Sequence, residues 1–271
     1  MEADITDNMD ENTDLGISLE PYIESVRQQL EDVEPLFLIG VLVALAVVII
    51  TYVFLKYFWT SKTVQSAVLL VGLCDAGKTL LFSRLLSGKF KRTQTSITDN
   101  SAPYKVKNDR KTIWTLIDLP GHESLRPQYL EKFKSAARAI VFVVDSAIFQ
   151  KEVRDVAEFL YVLLTDPVLC SNAPALLVVC NKQDVTMAKS AKLIQQQLEK
   201  ELTTLRVTRS AALSAQDGSA GGSVYLGKKG KDFDFNQVAM KVEFLECSAR
   251  GAKGEDGDAD IQALESSLAK L

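Results

Sequence analysis

The sequence predicts an α/β domain over residues 66 to 271, with a mostly parallel central sheet and helices on both faces, preceded by one transmembrane helix. Three observations predict it. Short, nearly continuous apolar runs alternate with longer amphipathic ones, as expected of strands covered on both faces by their connecting helices. The first of those runs leads into "GLCDAGKT" (72–79), whose G-x-x-x-x-G-K-T spacing is that of a phosphate-binding loop. Upstream, "LFLIGVLVALAVVIITYVFL" (36–55) carries no charge at all.

The N-terminal elements come first. Residues 1–35 hold eleven Asp and Glu against Arg27 alone. Within them "PYIESVRQQLEDVEP" fits equally a short amphipathic helix ending at Pro35 or acidic disorder. At about 1.5 Å per residue, 36–55 spans about 30 Å, the thickness of a hydrocarbon core, so it is expected to cross a membrane. A cleaved signal peptide does not fit a stretch that starts so far in, behind an acidic flank, with so long an apolar core. Lys56 and Lys62 follow the span, so the positive-inside rule places the C-terminal bulk in the cytosol and the short N-terminus across the membrane. Tyr52, Tyr57, Phe58 and Trp59 supply an aromatic belt, and 56–65 is a juxtamembrane linker.

Five strands are expected next: "AVLLVGL" (67–73), "TIWTLIDL" (112–119), "AIVFVVDS" (139–146), "ALLVVCNK" (175–182) and "VEFLECSA" (242–249). Helices are expected over 78–87, 152–164, 190–205 and 260–271. Residues 209–232, rich in Ser, Ala and Gly, read as a flexible surface insertion.

Composition excludes several classes. The net charge of -4 becomes a mild basic excess, 30 against 24, once the first 35 residues are set aside, and that excess is too diffuse for a nucleic-acid interface. Four cysteines without a C-x-x-C pair read as reduced core thiols, not as a disulfide frame or zinc site. The single histidine, His122, excludes a His-rich metal site.

In the phosphate loop, the amides of Asp75 to Lys78 can wrap a β-phosphate, Lys78 can reach the β- and γ-phosphates, and the Thr79 hydroxyl can bind Mg²⁺. "DLPGHE" ends the second strand, which puts Asp118 at a C-terminal strand edge, where it can hold Mg²⁺ through water. There the Gly121 amide can sense a γ-phosphate. "NKQD" ends the fourth strand. The Asp184 carboxylate can accept from a ring N–H and an exocyclic amine, adjacent in guanine and absent together from adenine, while the Asn181 amide adds a complementary bond and the Lys182 stem covers base or ribose. "CSA" (247–249) can present the Ala249 amide to the guanine carbonyl.

In this order the motifs resemble the small GTPase superfamily over 66–271, and "GLCDAGKT", "AIVFVVDS" and "NKQD" look most like its Arf and Sar branch. A GTPase domain behind an N-terminal transmembrane helix, with "TQTSIT" (93–98) and "DLPGHES", is similar to a membrane-anchored receptor GTPase of the endoplasmic reticulum. The resemblance implies the P-loop small-GTPase fold and GTP and Mg²⁺ as cofactors. It implies nucleotide contacts from Gly72, Leu73, Cys74, Asp75, Ala76, Gly77, Lys78, Thr79, Leu80, Thr93, Gln94, Thr95, Ser96, Gly121, Asn181, Lys182, Asp184, Ser248 and Ala249. Metal ligation falls to Thr79, Asp118 and a hydroxyl from Thr95 or Ser96. It further implies a single-pass protein of the endoplasmic reticulum membrane, in a GTP-dependent heterodimer with the N-terminal domain of a cytosolic receptor subunit.

Where the Arf branch has a water-orienting glutamine this chain has His122, either a catalytic residue or a solvated loop residue. Translation GTPases also carry Pro-Gly-His there, so slow or partner-stimulated hydrolysis stays open. Three functions compete: a regulated switch recruiting a cytosolic partner, a structural adaptor in which GTP is nearly permanent, and a P-loop ATPase or small-molecule kinase. The last leaves "NKQD" without a task.

Overall fold

The computed structural model describes residues 35–59, 65–106, 113–215, 225–251 and 257–271, apart from the side chains of 35–38, 55–59 and 210–215. The chain divides into two compact units, Met1–Lys62 and Thr63–Leu271. The acidic segment 1–34 and half of the linker, 60–64, lie outside the described residues.

The first unit contains one helix, α1 (Pro35–Trp59). Each side chain described in it, 39 to 54, is exposed, Leu42 at 69% and Ile50 at 65%. Thr51 turns its hydroxyl back onto the Val47 and Val48 carbonyls, at 2.8 and 2.9 Å, so that polar group is satisfied inside the helix. Among the described residues no helix is long and apolar enough to cross a membrane. The side chains described in α1 fall short of the roughly 18 apolar residues a span needs.

The second unit is built on a six-stranded sheet in the order β2-β3-β1-β4-β5-β6. The strands are β1 (Ala67–Gly72), β2 (Asn100–Lys105), β3 (Ile113–Asp118), β4 (Ala137–Asp145), β5 (Ala175–Asn181) and β6 (Val242–Glu246). Only the edge strand β2 runs antiparallel. Because side chains alternate across a strand, the same apolar run feeds two cores. Leu69, Phe142 and Val178 face one, and Val68, Val141 and Val179 face the other. The first core is closed by α3 (Arg126–Phe133), α4 (Phe149–Thr165), α5 (Pro167–Asn172) and α6 (Ala191–Ala215), through Leu130, Leu160, Leu169 and Leu198. The second is closed by α2 (Lys78–Ser87) and α7 (Gln262–Leu268), through Leu81, Leu85, Leu264 and Leu268.

All five expected strands form, four within two residues of their expected ends and the last, β6, ending three residues early at Glu246. β2 was not expected: "NSAPYK" is mostly polar and exposed, and its Pro103 is tolerated because the strand is an edge. The helix expected over 190–205 continues to Ala215, so the flexible insertion expected over 209–232 opens as helix instead. Of its remainder, 216–224 lies outside the described residues. Leu226 is buried, and Arg206 of α6 ties down the Leu226, Lys228 and Lys231 carbonyls, which corrects the expectation of a loose surface loop there.

The four cysteines are free. Burial pushes the Cys180 thiol up to about 12, and Cys247 rises for the same reason. Cys74 and Cys170 are only half-buried, so the description as core thiols holds for two of the four. Among the described residues no cluster of His, Cys, Asp or Glu has metal-ligand spacing. The five parallel strands end along one edge of the sheet, which gathers Gly72, Asp118, Asp145 and Asn181 with their loops.

Candidate functional site at the strand ends

Between β1 and α2 the chain makes a tight turn around what becomes the helix N-terminus. Gly77 caps α2 at φ 94°, and a Cβ there would lie 2.4 Å from Asn181 Nδ2, so only glycine fits. Asp75, at φ 57°, also takes the left-handed conformation, which costs a non-glycine residue roughly 1–3 kcal/mol and concentrates at functional sites. The first-turn amides of α2 lack helical acceptors and sit at the positive end of its dipole, an arrangement suited to an anion. Lys78 is buried and donates to the Leu73 carbonyl at 2.6 Å. Burial lowers its pKa, and the Asp118 charge works the other way. A cavity of about 200 Å³ lies here, lined by Cys74, Asp75, Gly77, Lys78, Thr79, Gly121 and Thr93 to Ser96. Gly72, Leu73, Ala76 and Leu80 do not line it; they frame the loop.

The Thr79 hydroxyl donates to Asp118 Oδ2 at 2.7 Å and stands 3.0 Å from Ser96 Oγ. Asp118 is fully buried, and its Oδ1 has no hydrogen-bond partner. Burial raises its pKa against the pull of Thr79, Lys78, Asn100 and Ser96, of which the last two stand near the carboxylate without satisfying Oδ1. An unpartnered carboxylate oxygen beside two hydroxyls is a hard-oxygen set that fits Mg²⁺, which takes one or two protein oxygens and keeps several waters. Ser96, half-buried, meets Thr79; Thr95 is exposed. A Cβ on Gly121 would lie 2.6 Å from Lys78 Nζ and 2.8 Å from the Cys74 nitrogen, so a glycine is required for the loop after β3 to touch the phosphate loop.

At the other end of the site Asp184 is exposed and accepts from Ser248 Oγ at 2.6 Å, while Ser248 Oγ accepts from the Gly251 amide at 2.9 Å. Asn181, expected to add a bond to a purine, is buried: its Nδ2 donates to the Ala76 carbonyl at 2.8 Å and its Oδ1 accepts from the Ala249 amide at 3.0 Å. It therefore ties the phosphate loop to the loop after β6. The Ala249 amide, expected to meet the guanine carbonyl, is engaged in that tie. Lys182, left-handed at φ 67°, is held by its ammonium on Asp145 Oδ2 at 2.5 Å.

His122 is exposed, bonds Ser124 Oγ through Nδ1 at 2.8 Å, and does not line the phosphate cavity. Arg126 donates to the Gly121 carbonyl at 2.8 Å and stacks over Phe159, in a separate groove between α3 and α4. Arg138 packs over Trp114.

Comparison with known proteins decides the family. The family described as the signal recognition particle receptor beta subunit matches residues 63–242. This chain belongs to that family. Beta subunits from Mus musculus and Homo sapiens are 62% and 61% identical over 94% of this chain, covering 95% and 94% of their own lengths. The solved mammalian signal recognition particle receptor is 61% identical, with a TM-score of 0.63 over 75% of this chain and 98% of its own. A beta subunit from Chaetomium thermophilum solved as an SRb-GTP/SRX complex is 25% identical, with a TM-score of 0.58 over 75% of this chain and 99% of its own. Another from the same organism, solved as SRb-GDP-Mg, is 27% identical with a TM-score of 0.56, over 78% of this chain and 99% of its own. An ADP-ribosylation factor-like protein of Saccharomyces cerevisiae is 32% identical over 55% of the chain and 77% of its own, in keeping with the Arf-like motifs.

Two site residues of this beta-subunit chain escaped the sequence reading. Asp145, buried at the end of β4, accepts from the Ala147 and Ile148 amides with Oδ1 and from Lys182 with Oδ2. Its signal was an acid closing an apolar strand, "FVVDS". Arg84, buried in α2, left no signal, because three of its four carbonyl partners lie more than 160 residues away.

Proposed function

We propose that this protein is the membrane-anchored GTP-binding subunit of a signal recognition particle receptor, tethering the alpha subunit's N-terminal domain to the endoplasmic reticulum for co-translational protein targeting. The observation that carries the nucleotide part is the Thr79–Asp118–Ser96 cluster with its unpartnered carboxylate oxygen, beside an α2 N-terminus shaped for phosphate. Thr79, Asp118 and Ser96 would hold a Mg²⁺ ion there, which would supply charge neutralisation for the phosphates. Asp184, aligned by Ser248, reads the guanine edge. The names of the solved relatives, SRb-GTP/SRX and SRb-GDP-Mg, support a guanine nucleotide, Mg²⁺ and a partner chain. The anchor is α1: a 25-residue helix containing an uncharged 20-residue run, with its described side chains exposed. Charge asymmetry at its ends supports a lumenal N-terminus and a cytosolic GTPase domain.

His122, exposed and turned to Ser124, favours the adaptor reading over a fast intrinsic GTPase. The test is the nucleotide that co-purifies with the full chain, followed by single-turnover GTP hydrolysis with and without the alpha subunit's N-terminal domain. Retained GTP with negligible turnover in both states supports the adaptor. Hydrolysis that changes strongly with the partner supports a regulated switch, and equal affinity for GTP and ATP refutes the guanine assignment. Asp184→Asn replaces an acceptor with a donor, so it should shift preference from guanine toward xanthine nucleotides, as read by competition binding; an unchanged preference removes Asp184 from the site.

A further inference from the structure

The Arg84 guanidinium belongs to none of the phosphate, metal or base contacts described above. It is 4% exposed and, among the described residues, donates four hydrogen bonds, each to a backbone carbonyl. Nε donates to Ala249 at 3.0 Å, Nη2 to Arg250 at 3.2 Å and Gly257 at 2.8 Å, and Nη1 to Gly88 at 3.0 Å. Three of these carbonyls follow β6, in the stretch that carries Ser248. The fourth is the C-cap of α2, the helix whose N-terminus forms the phosphate site. A buried charge is tolerated only with such a set of acceptors, and a planar guanidinium fixes their directions as a rotating ammonium cannot.

We propose that Arg84 is a positioning residue for guanine discrimination. It locks the loop after β6 onto α2, so that Ser248 holds the Asp184 carboxylate at a fixed place relative to the phosphate loop. The chain of contacts is short: Arg84 to Ala249 and Arg250, these to the adjoining Ser248, and Ser248 Oγ to Asp184 Oδ1 at 2.6 Å. Asn181 makes the second tie, from Ala76 to the Ala249 amide, so Ala249 is gripped by its carbonyl from one side and its amide from the other. An apolar side chain could fill the Arg84 site but would leave the direction of these carbonyls unset. The inference rests on the guanine reading of Asp184.

The test uses full-length protein in detergent and compares binding of GDP, IDP and ADP. IDP lacks the exocyclic amine that Asp184 reads, so the GDP-to-IDP affinity ratio reports how well the carboxylate is placed. Arg84→Gln should lower that ratio about tenfold, a change equivalent to about 1.4 kcal/mol. Arg84→Lys should lower it less, because the ammonium keeps the charge without the fork. Ile194→Val, in the opposite core, should lower the melting temperature and leave the ratio unchanged. If Arg84→Gln does not fold, Arg84→Lys carries the same comparison. GDP and IDP affinities that fall together, with the ratio intact, overturn the proposal and leave Arg84 a stability residue. A wild-type protein without preference for GDP over ADP overturns instead the guanine reading beneath it.

Discussion

Asp118 carries one bonded and one unpartnered oxygen at zero exposure, a costly state that a cation relieves. The two hydroxyls nearby are not equivalent to Thr95, which faces solvent. Ser96→Ala should therefore lower Mg²⁺ affinity of the nucleotide-bound protein about tenfold, and Thr95→Ala less than about twofold. Mg²⁺ titration of nucleotide release measures both, and equal losses would return the assignment to an open choice. At this scale the sequence was informative where a spacing rule fixes the side chain, as at Lys78, Thr79, Asp118 and Asp184. It was silent where the role depends on which way a loop turns, as between Thr95 and Ser96. It was also silent where partners are remote, as at Arg84, and it did not reveal that Asn181 ties two loops together, because a side chain facing a base and one tying two loops carry the same letter.

Among the elements, the short helix α5 shows how little pattern some of them need. Asp166 caps it, accepting from the Val168 and Leu169 amides at 2.8 and 3.0 Å, while Lys134 pairs with the other oxygen at 2.8 Å. Burial works against this charge, yet the Lys134 hydrogen bond and the two amides outweigh it and hold the carboxyl below its usual range. A depressed folded pKa means the stabilisation is complete above the unfolded value, about 4, and is lost as pH falls through the folded one. Asp166→Ala should cost about 1 kcal/mol of unfolding free energy near neutral pH. That difference should shrink as the pH drops below the carboxylate range; urea denaturation at several pH values checks it, and a constant difference would mean the loss is not electrostatic. Neither α5 nor α3 was legible beforehand, since six and eight residues are too few to show a helical period. The parallel strands were legible to within three residues because burial on both faces demands unbroken apolar runs.

For the molecule as a whole, the division into units Met1–Lys62 and Thr63–Leu271 lets anchoring and nucleotide binding be separated experimentally. Deleting 36–55 should move the protein from the membrane to the soluble fraction with GTP binding retained. A truncated protein that stays on membranes would mean that a partner suffices for attachment. The sequence separates an N-terminal segment from an α/β domain because a long uncharged run and a strand-helix alternation differ in period and length. The continuation of α6 to Ala215 was hidden by a Ser- and Ala-rich composition that suits helix and loop alike. Edge strand β2 was hidden because one partner on one side asks little of its side chains.

The unequal burial of the four thiols has a practical use. Cys180 and Cys247 are sealed in the core and pushed toward the neutral form, and Cys170 rests against the Leu164 carbonyl with its pKa raised. Cys74 alone lines the phosphate cavity. A maleimide given briefly near neutral pH should therefore label Cys74 first, and a nucleotide seated on the loop should slow that labelling. Labelling of the wild-type chain would then report occupancy of the phosphate cavity without a single substitution.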